Sequence, residues 1–425
     1  MLDGFDTQSI AFVAPAITQA WGIEPALFGP VFGAGLLGGL LGGVAFGHMG
    51  DRFGRKPLLI VAIVIFSMAS LLTPWVGSMK WLIAARFITG VGLGGALPGF
   101  IALASEYSPA RLRPGTVAVM FCGFPLGAVM GGIVSAKLIP AYGWQAVFLL
   151  GGALPLVLLP VFVAKLPESL QFLAVRERSA VILRILARMG SPYTWDATAE
   201  PMRHKQATLS FIKLFAPGTA LGTLLLWVTL FLSLLLSYFL INWIPIVVNR
   251  NGLSVQSAVH AVTMLNLGGI VGCLLFGRLI VRFGAARVIS IAFACGAAAV
   301  ASIGLAGGSS LLLCTVTFFA GLFSLGPQMC TVALCSAFYQ TFLRATGVGC
   351  ALGVGRMGAI TGPLVGGLLL AAGVSFLNLF LFAGAICAGA AISVGLLGVL
   401  VLNRRPINEP PEHKAAVVIS NGMTR

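Results

Sequence analysis

The chain predicts an all-α polytopic membrane protein, with twelve transmembrane helices in two pseudo-symmetric halves of six. Three observations carry that expectation. Of 425 residues, 58% are hydrophobic and only 9% charged, against about 25% charged in a soluble domain. The apolar stretches are continuous and helix-length, about 20 residues each, with none of the alternation of a β-barrel. Matching residues also recur at a constant offset of 230–231 positions. The 55 glycines and 22 prolines fit a helical bundle in lipid, where small residues let backbones approach and proline is tolerated.

In chain order, the apolar runs predict spans at 1–20, 27–47, 57–77, 81–104, 115–138, 144–164, 219–247, 255–280, 287–307, 310–336, 346–371 and 375–402. Residues 1–164 form the first half and 216–403 the second. Between them runs a charged linker loop, 165–215, holding Arg176, Arg178, Arg184, Arg188, Arg203 and Lys205; 404–425 is a tail. An even number of spans puts both termini on one side. Of 26 Lys and Arg residues, Lys80, Lys137 and Arg250 fall on the opposite side and Arg86 and Arg356 inside spans, leaving 21 beside the linker and termini. That asymmetry marks the linker side as cytoplasmic. The net charge of +15 is scattered between spans and so reads as a topology signal, not a nucleic-acid surface. The eight cysteines lie inside apolar spans without a CxxC pair, which predicts neither a disulfide framework nor a metal site.

The repeat is explicit in three regions. Gly47 to Gly54 after the second span matches Gly277 to Gly284 after the eighth; Arg113 matches Arg344; Gly127 and Gly131 match Gly358 and Gly362. Two six-helix halves with a midplane site between them is an alternating-access architecture.

Within this frame, ionisable residues inside spans are the candidate functional groups. Asp3 and Asp6 head the first span at i and i+3, on one helical face, and are candidates for proton coupling; as N-terminal surface acids they would do nothing. Measured from Trp21 as the outer interface, helical rise puts them about 22–27 Å deep, so an upstream extension of roughly 10–20 apolar residues is expected to complete that span. Arg86 lies about 9 Å inside the fourth span, shallow enough to snorkel outward. Arg356 lies about 18 Å deep and needs a buried partner, an acid such as Asp3 or Asp6, or preferably a substrate carboxylate. Tyr238, Asn242 and Trp243 before Pro245 give the seventh span an aromatic and amide face for a ring, although Trp243 also suits an interfacial belt; Gln328 is a further buried amide. At the linker side, Gly47-x-x-x-Asp51-Arg52-x-Gly54-Arg55-Lys56 reads as a tight turn whose Asp51 accepts from a neighbouring helix N-terminus or pairs with an Arg, forming a latch that breaks when the halves rock; as a topogenic basic loop it would explain Arg52, Arg55 and Lys56 but not the Asp and glycines. Glu106, with Arg111 and Arg113, makes either a gate ion pair or an interfacial cluster, and Arg344 repeats Arg113.

The Gly47–Lys56 string and Arg86-Phe-Ile-Thr-Gly-Val-Gly-Leu-Gly94 resemble signatures of the major facilitator superfamily, as does Pro167-Glu168-Ser169. Within it, Leu2-Asp3-Gly4-Phe5-Asp6, Thr89 to Gly94, Arg344 to Gly349 and Gly355-Arg356-Met357-Gly358 resemble the aromatic acid:proton symporters. Leu224 to Trp227, Ile241-Asn242-Trp243 and Cys122 to Pro125 look most like the 3-hydroxyphenylpropionate type. The resemblance spans nearly the whole chain. It implies import of a small aromatic carboxylate with protons by a monomer in the bacterial inner membrane, with Asp3 and Asp6 required, Arg86 beside them in proton transfer, and no cofactor. Two departures stand out: Val281 replaces the acid in the second loop copy, and Pro114 follows Arg113. The alternative is a drug:proton antiporter, but the Gly-Pro-x-x-Gly-Gly string of that group's fifth helix lies here in the eleventh (Gly362 to Gly367). No nucleophile elbow, phosphate loop or metal-ligand spacing points to an enzyme.

Overall fold

The computed structural model describes residues 1–108, 113–176, 178–188, 213–216, 218–306 and 308–402. Its long helices are α1 (Leu2–Trp21), α2 (Phe28–Phe53), α3 (Arg55–Leu72), α4 (Met79–Glu106), α5 (Arg113–Tyr142) and α6 (Gln145–Lys165) in the first half. The second half holds α7 (Ala220–Arg250), α8 (Val255–Phe283), α9 (Ala285–Ile303), α10 (Ser310–Phe338), α11 (Thr341–Ala371) and α12 (Phe376–Leu397). Among the described residues, eleven helices, α2 to α12, are long and apolar enough to cross a membrane. α1 has the length, 20 residues or about 30 Å of rise, but Asp3, Asp6, Thr7, Gln8 and Ser9 crowd its first half and lower its hydropathy. Large apolar side chains such as Val44, Val157, Leu311 and Leu368 are exposed, as expected where lipid is the solvent.

Two local expectations change. The Gly47–Lys56 string is no turn over most of its length: α2 runs on as helix to Phe53, and the chain reverses at Gly54 alone, with φ +100° and ψ 151°. Only glycine adopts that conformation without strain. The linker is also not all loop, since Leu170–Val175 and Ser179–Arg188 are short helices; its middle and the 404–425 tail lie outside the described residues.

The repeat extends to the backbone. Gly22, Gly54 and Gly143 have positive φ, and so do Gly252, Gly284 and Gly373, each 230 residues later. Helix packing repeats as well. A Cβ on Gly127 or Gly131 of α5 would run into Met1, just before α1, or Phe5 of α1; one on Gly358 or Gly362 of α11 would run into Phe231 or Leu235 of α7. Gly38 and Gly42 seat α2 against Phe87 and Val91 of α4, as Gly268 and Gly272 seat α8 against Phe318 and Leu322 of α10.

The halves meet through α2 against α11, α5 against α8 and α1 against α7. These contacts gather at the end bearing the turns at Gly22 and Gly252. There Gly29 and Gly33 abut Pro363 and Leu364, and Gly132 abuts Thr263. Toward the other end, a Cβ on Gly277, Gly349 or Gly353 would meet nothing within 4 Å. The end where these inter-half contacts lie is the closed end, and the opposite end, which bears the linker, is the open end. Gly42→Val, which drives a side chain into the Val91 carbonyl, is expected to cost about 1–3 kcal/mol and to abolish the monodisperse peak in size-exclusion chromatography of detergent extracts. Gly349→Ala is expected to leave that peak unchanged.

Candidate functional site

Asp6 is fully buried inside the first half. Ser70 of α3 donates a hydrogen bond to its Oδ1 at 2.7 Å, and Gly151 of α6 leaves room for the carboxylate. Its Oδ2 has no partner. Arg86 of α4, 3% exposed, turns toward the same interior: Nη2 donates to Thr89 Oγ1 at 3.1 Å and the guanidinium lies 4.8 Å from the Phe148 ring centroid. It does not snorkel outward. Its Nε is also buried without a partner, and the two opposite charges sit within electrostatic reach without forming a direct ion pair. A buried carboxylate with one donated bond and one free oxygen is costly as an anion unless an opposite charge stands by.

Asp3, one turn earlier, faces a different environment. It is only partly buried, accepts from Thr7 of its own helix at 3.3 Å, and lies within electrostatic reach of Arg356 and Tyr238 across the seam between halves. Arg356 of α11 is half-buried and reaches the other half: its Nη1 donates to the Gly39 carbonyl of α2 at 3.3 Å. Among the described residues no carboxylate forms an ion pair with it. Tyr238 is partly exposed beside it. Asn242 donates to the Tyr238 carbonyl at 2.7 Å, and Gln328 Oε1 accepts from Ser237 at 3.5 Å, joining α10 to α7. Asp3, Arg356 and Tyr238 thus border the seam, and Gln328 lies between α10 and α7 of the second half. Trp243 does not present a ring face to it. Its ring is 0% exposed, its Nε1 donates to the Pro363 carbonyl at 3.0 Å, and it stands edge-on to Phe32 at 5.7 Å. The flat glycine face of α11 at Gly366 admits the indole, so Trp243 is an inter-half wedge.

At the open end the acids act on the linker. Glu106 receives Arg55 Nη1 at 2.6 Å, the Ser169 hydroxyl at 2.8 Å and the Leu170 N–H at 2.8 Å. Glu168 Oε1 accepts the backbone N–H groups of Arg55 (2.8 Å), Lys56 (3.1 Å) and Ser169 (2.8 Å). It therefore caps α3 over Gly54, where a Cβ would stand 2.6 Å from its other oxygen. Tyr107, just past α4, donates to the Glu168 carbonyl at 2.7 Å, and burial, with Glu106 and Glu168 alongside, pushes its phenol up to about 12. Arg52 is exposed over Phe53, and its carbonyl accepts from Arg176 at 2.9 Å; Arg344 is exposed at the start of α11. Arg111 and the side chains of Asp51 and Arg113 lie outside the described residues. Glu106 thus pairs with Arg55, and the latch binds the linker to the first half. Glu168→Ala is expected to lose a cap worth about 0.5–2 kcal/mol, read as a lower unfolding midpoint and faster proteolysis at the linker.

Sequence reasoning missed Ser70, Thr89 and Phe148 around the buried charges, and Gln8 and Asn266, whose buried amides bond reciprocally between α1 and α8. The available signal was each polar residue inside an apolar span.

The Major Facilitator Superfamily model matches residues 1–309 and 226–421. The chain is 38% identical over 403 residues to the 4-hydroxybenzoate transporter PcaK of Pseudomonas aeruginosa, covering 93% of this chain and 90% of that one. A gallate transporter of Pseudomonas putida also matches at 38%, over 93% of this chain and 88% of its own. The 3-(3-hydroxy-phenyl)propionate transporter of Escherichia coli matches at 34%, over 96% and 93%. Among solved structures, a partially occluded inward-open xylose transporter XylE from E. coli superposes with a TM-score of 0.70 at 16% identity, covering 92% of this chain and 93% of that one. An inward-facing bacterial homologue of the human lysosomal transporter Spinster gives 0.69 at 16%, over 94% and 93%. Twelve long helices among the described residues, in two repeated halves, the buried charges of α1 and α4 and these likenesses agree: the chain belongs to the Major Facilitator Superfamily.

Proposed function

We propose that the protein imports small aromatic carboxylates together with protons by alternating access, as a monomer in a bacterial cytoplasmic membrane. The linker and both termini face the cytoplasm, so the open end faces inward. The observation that carries this reading is the division of charge. A cation without an ion-pair partner among the described residues, Arg356, stands at the seam between halves, while a shielded acid, Asp6, and Arg86 sit inside one half. The names of the relatives, transporters of 4-hydroxybenzoate, gallate and hydroxyphenylpropionate, support the substrate class.

In this mechanism a substrate carboxylate replaces the Gly39 carbonyl on Arg356, a stronger, charge-assisted partner for a guanidinium, and its ring lies against Tyr238. Asn242 and Gln328 offer amides to ring substituents. Protonation of Asp6, with Asp3 relaying from the seam, removes a negative charge from the moving half before it rocks. A monoanion carried with one proton crosses without net charge and draws only on the pH gradient; a second proton would add about 2.3 kcal/mol per 100 mV.

Uptake of labelled 4-hydroxybenzoate into proteoliposomes is expected to rise as the outside is acidified, because the proton is a co-substrate, and to collapse with a protonophore. Uptake indifferent to the protonophore would refute symport; export of cationic drugs without aromatic-acid uptake would indicate antiport instead. Asp6→Asn is expected to abolish uphill accumulation while leaving substrate exchange measurable. Arg356→Ala removes one partner of a desolvated charge pair at about 2–5 kcal/mol, so KM should rise by about 30-fold or more; wild-type transport by both Arg356→Ala and Arg356→Lys would overturn that assignment.

A further inference from the structure

The side chains of Gln8 and Asn266 are 1% and 2% exposed at the contact of α1 with α8. Gln8 Nε2 donates to Asn266 Oδ1 at 3.1 Å, and Asn266 Nδ2 donates back to Gln8 Oε1 at 2.9 Å while also reaching its own helix at the Val262 carbonyl, 2.9 Å away. This is the buried end of a polar seam. At the exposed rim of the same closed end, Gln19 Nε2 donates to Asn249 Oδ1 at 2.9 Å, and one turn from Asn266 the hydroxyl of Thr263 packs on Gly132. An apolar seam would tolerate sliding. A reciprocal amide pair closes in one register only, because a displaced amide leaves a buried donor and acceptor unpaired. When the closed end opens, both amides come to a water-filled cleft and need no protein partner.

We propose that Gln8 and Asn266 are gating residues of the transport cycle: their reciprocal pair is the inner latch of the closed end, parts once in each cycle, and sets the balance between the two states. The inference rests on the alternating-access part of the function given above and not on the substrate.

A leucine at either position leaves one amide sealed without a partner, but only while the end is closed. Leucines at both positions remove the unpaired group altogether. Single variants should therefore shift the protein toward the state with this end parted, and the double variant should shift it back. The experiment places spin labels on cysteines introduced at Gln19 and Asn249, in a background without the eight native cysteines. Distances are read by double electron–electron resonance in nanodiscs without substrate. Q8L and N266L are each expected to move the ratio of long to short distances by about fivefold or more, the effect of about 1 kcal/mol on an unpartnered buried amide, with Q8L/N266L near the parental ratio. Unshifted single variants, or a double variant shifted as far as the singles, would overturn the proposal. Should the leucine variants fail to give a single chromatographic peak, Q8N and N266Q, one methylene too short and too long, should shift the ratio less but in the same direction. The exchanged pair Q8N/N266Q should restore it, and failure of that restoration would equally refute the latch. Because no substrate is present, a wrong substrate assignment would leave these distances untouched and show only in uptake.

Discussion

Inside a bilayer there is no hydrophobic gain from pressing one apolar helix on another, since lipid tails are as apolar as leucine. What remains is close contact, and here it is made backbone to backbone through glycine. The α2–α4 and α8–α10 pairs, and α1 on α5 and α7 on α11, all meet at glycines whose missing side chain is occupied by a neighbour's carbonyl or ring. Each half is therefore stiff, and the softer surface in the molecule is the seam between halves. Polar groups such as Arg356, Gln8 and Asn266 concentrate along that seam, so the stiffness of the halves decides where rearrangement occurs.

The two halves repeat in geometry but not in chemistry. Shifted by 230 or 231 positions, Asp6 falls on Leu236, Arg86 on Thr317 and Arg356 on Pro125. One half buries an acid and a base together; the other contributes an isolated cation and the aromatic and amide groups of α7. The open-end latch is equally one-sided, because Glu106 and Glu168 act on Arg55 and the start of α3, while Val281 leaves the second copy without the matching acid. A symmetric scaffold therefore supports an asymmetric pathway.

The spans were legible because lipid imposes a length and a composition that few other environments demand, and every predicted run has its helix. The repeat was legible because glycine packing tolerates little substitution. What escaped depended on direction. Periodicity places Asp3 and Asp6 on one face, yet about 60° of separation is enough to point one at the seam and the other into the bundle. Trp243 beside Tyr238 and Asn242 gave no hint that its ring turns the other way, toward Gly366. Arg86 was ambiguous in sequence because depth alone does not say whether a long side chain leans outward or inward; Phe148 and Thr89, from α6 and α4 itself, settle that here. Glu168 sat in a short common string whose meaning appears only when the linker folds back onto Gly54.

The sealed position of Asp6 has a consequence for fidelity. Its carboxyl is closed off by α3, α4 and α6 even while the halves are parted at the open end, so the route that admits a solute to the seam does not by itself admit hydronium to the acid. A group equally wet in every conformation would let protons run down their gradient without cargo. Walled off inside its half, Asp6 meets the seam only by way of Asp3, the partly exposed acid one turn earlier on α1. That extra barrier is the kind of device that separates a tightly geared carrier from a proton leak.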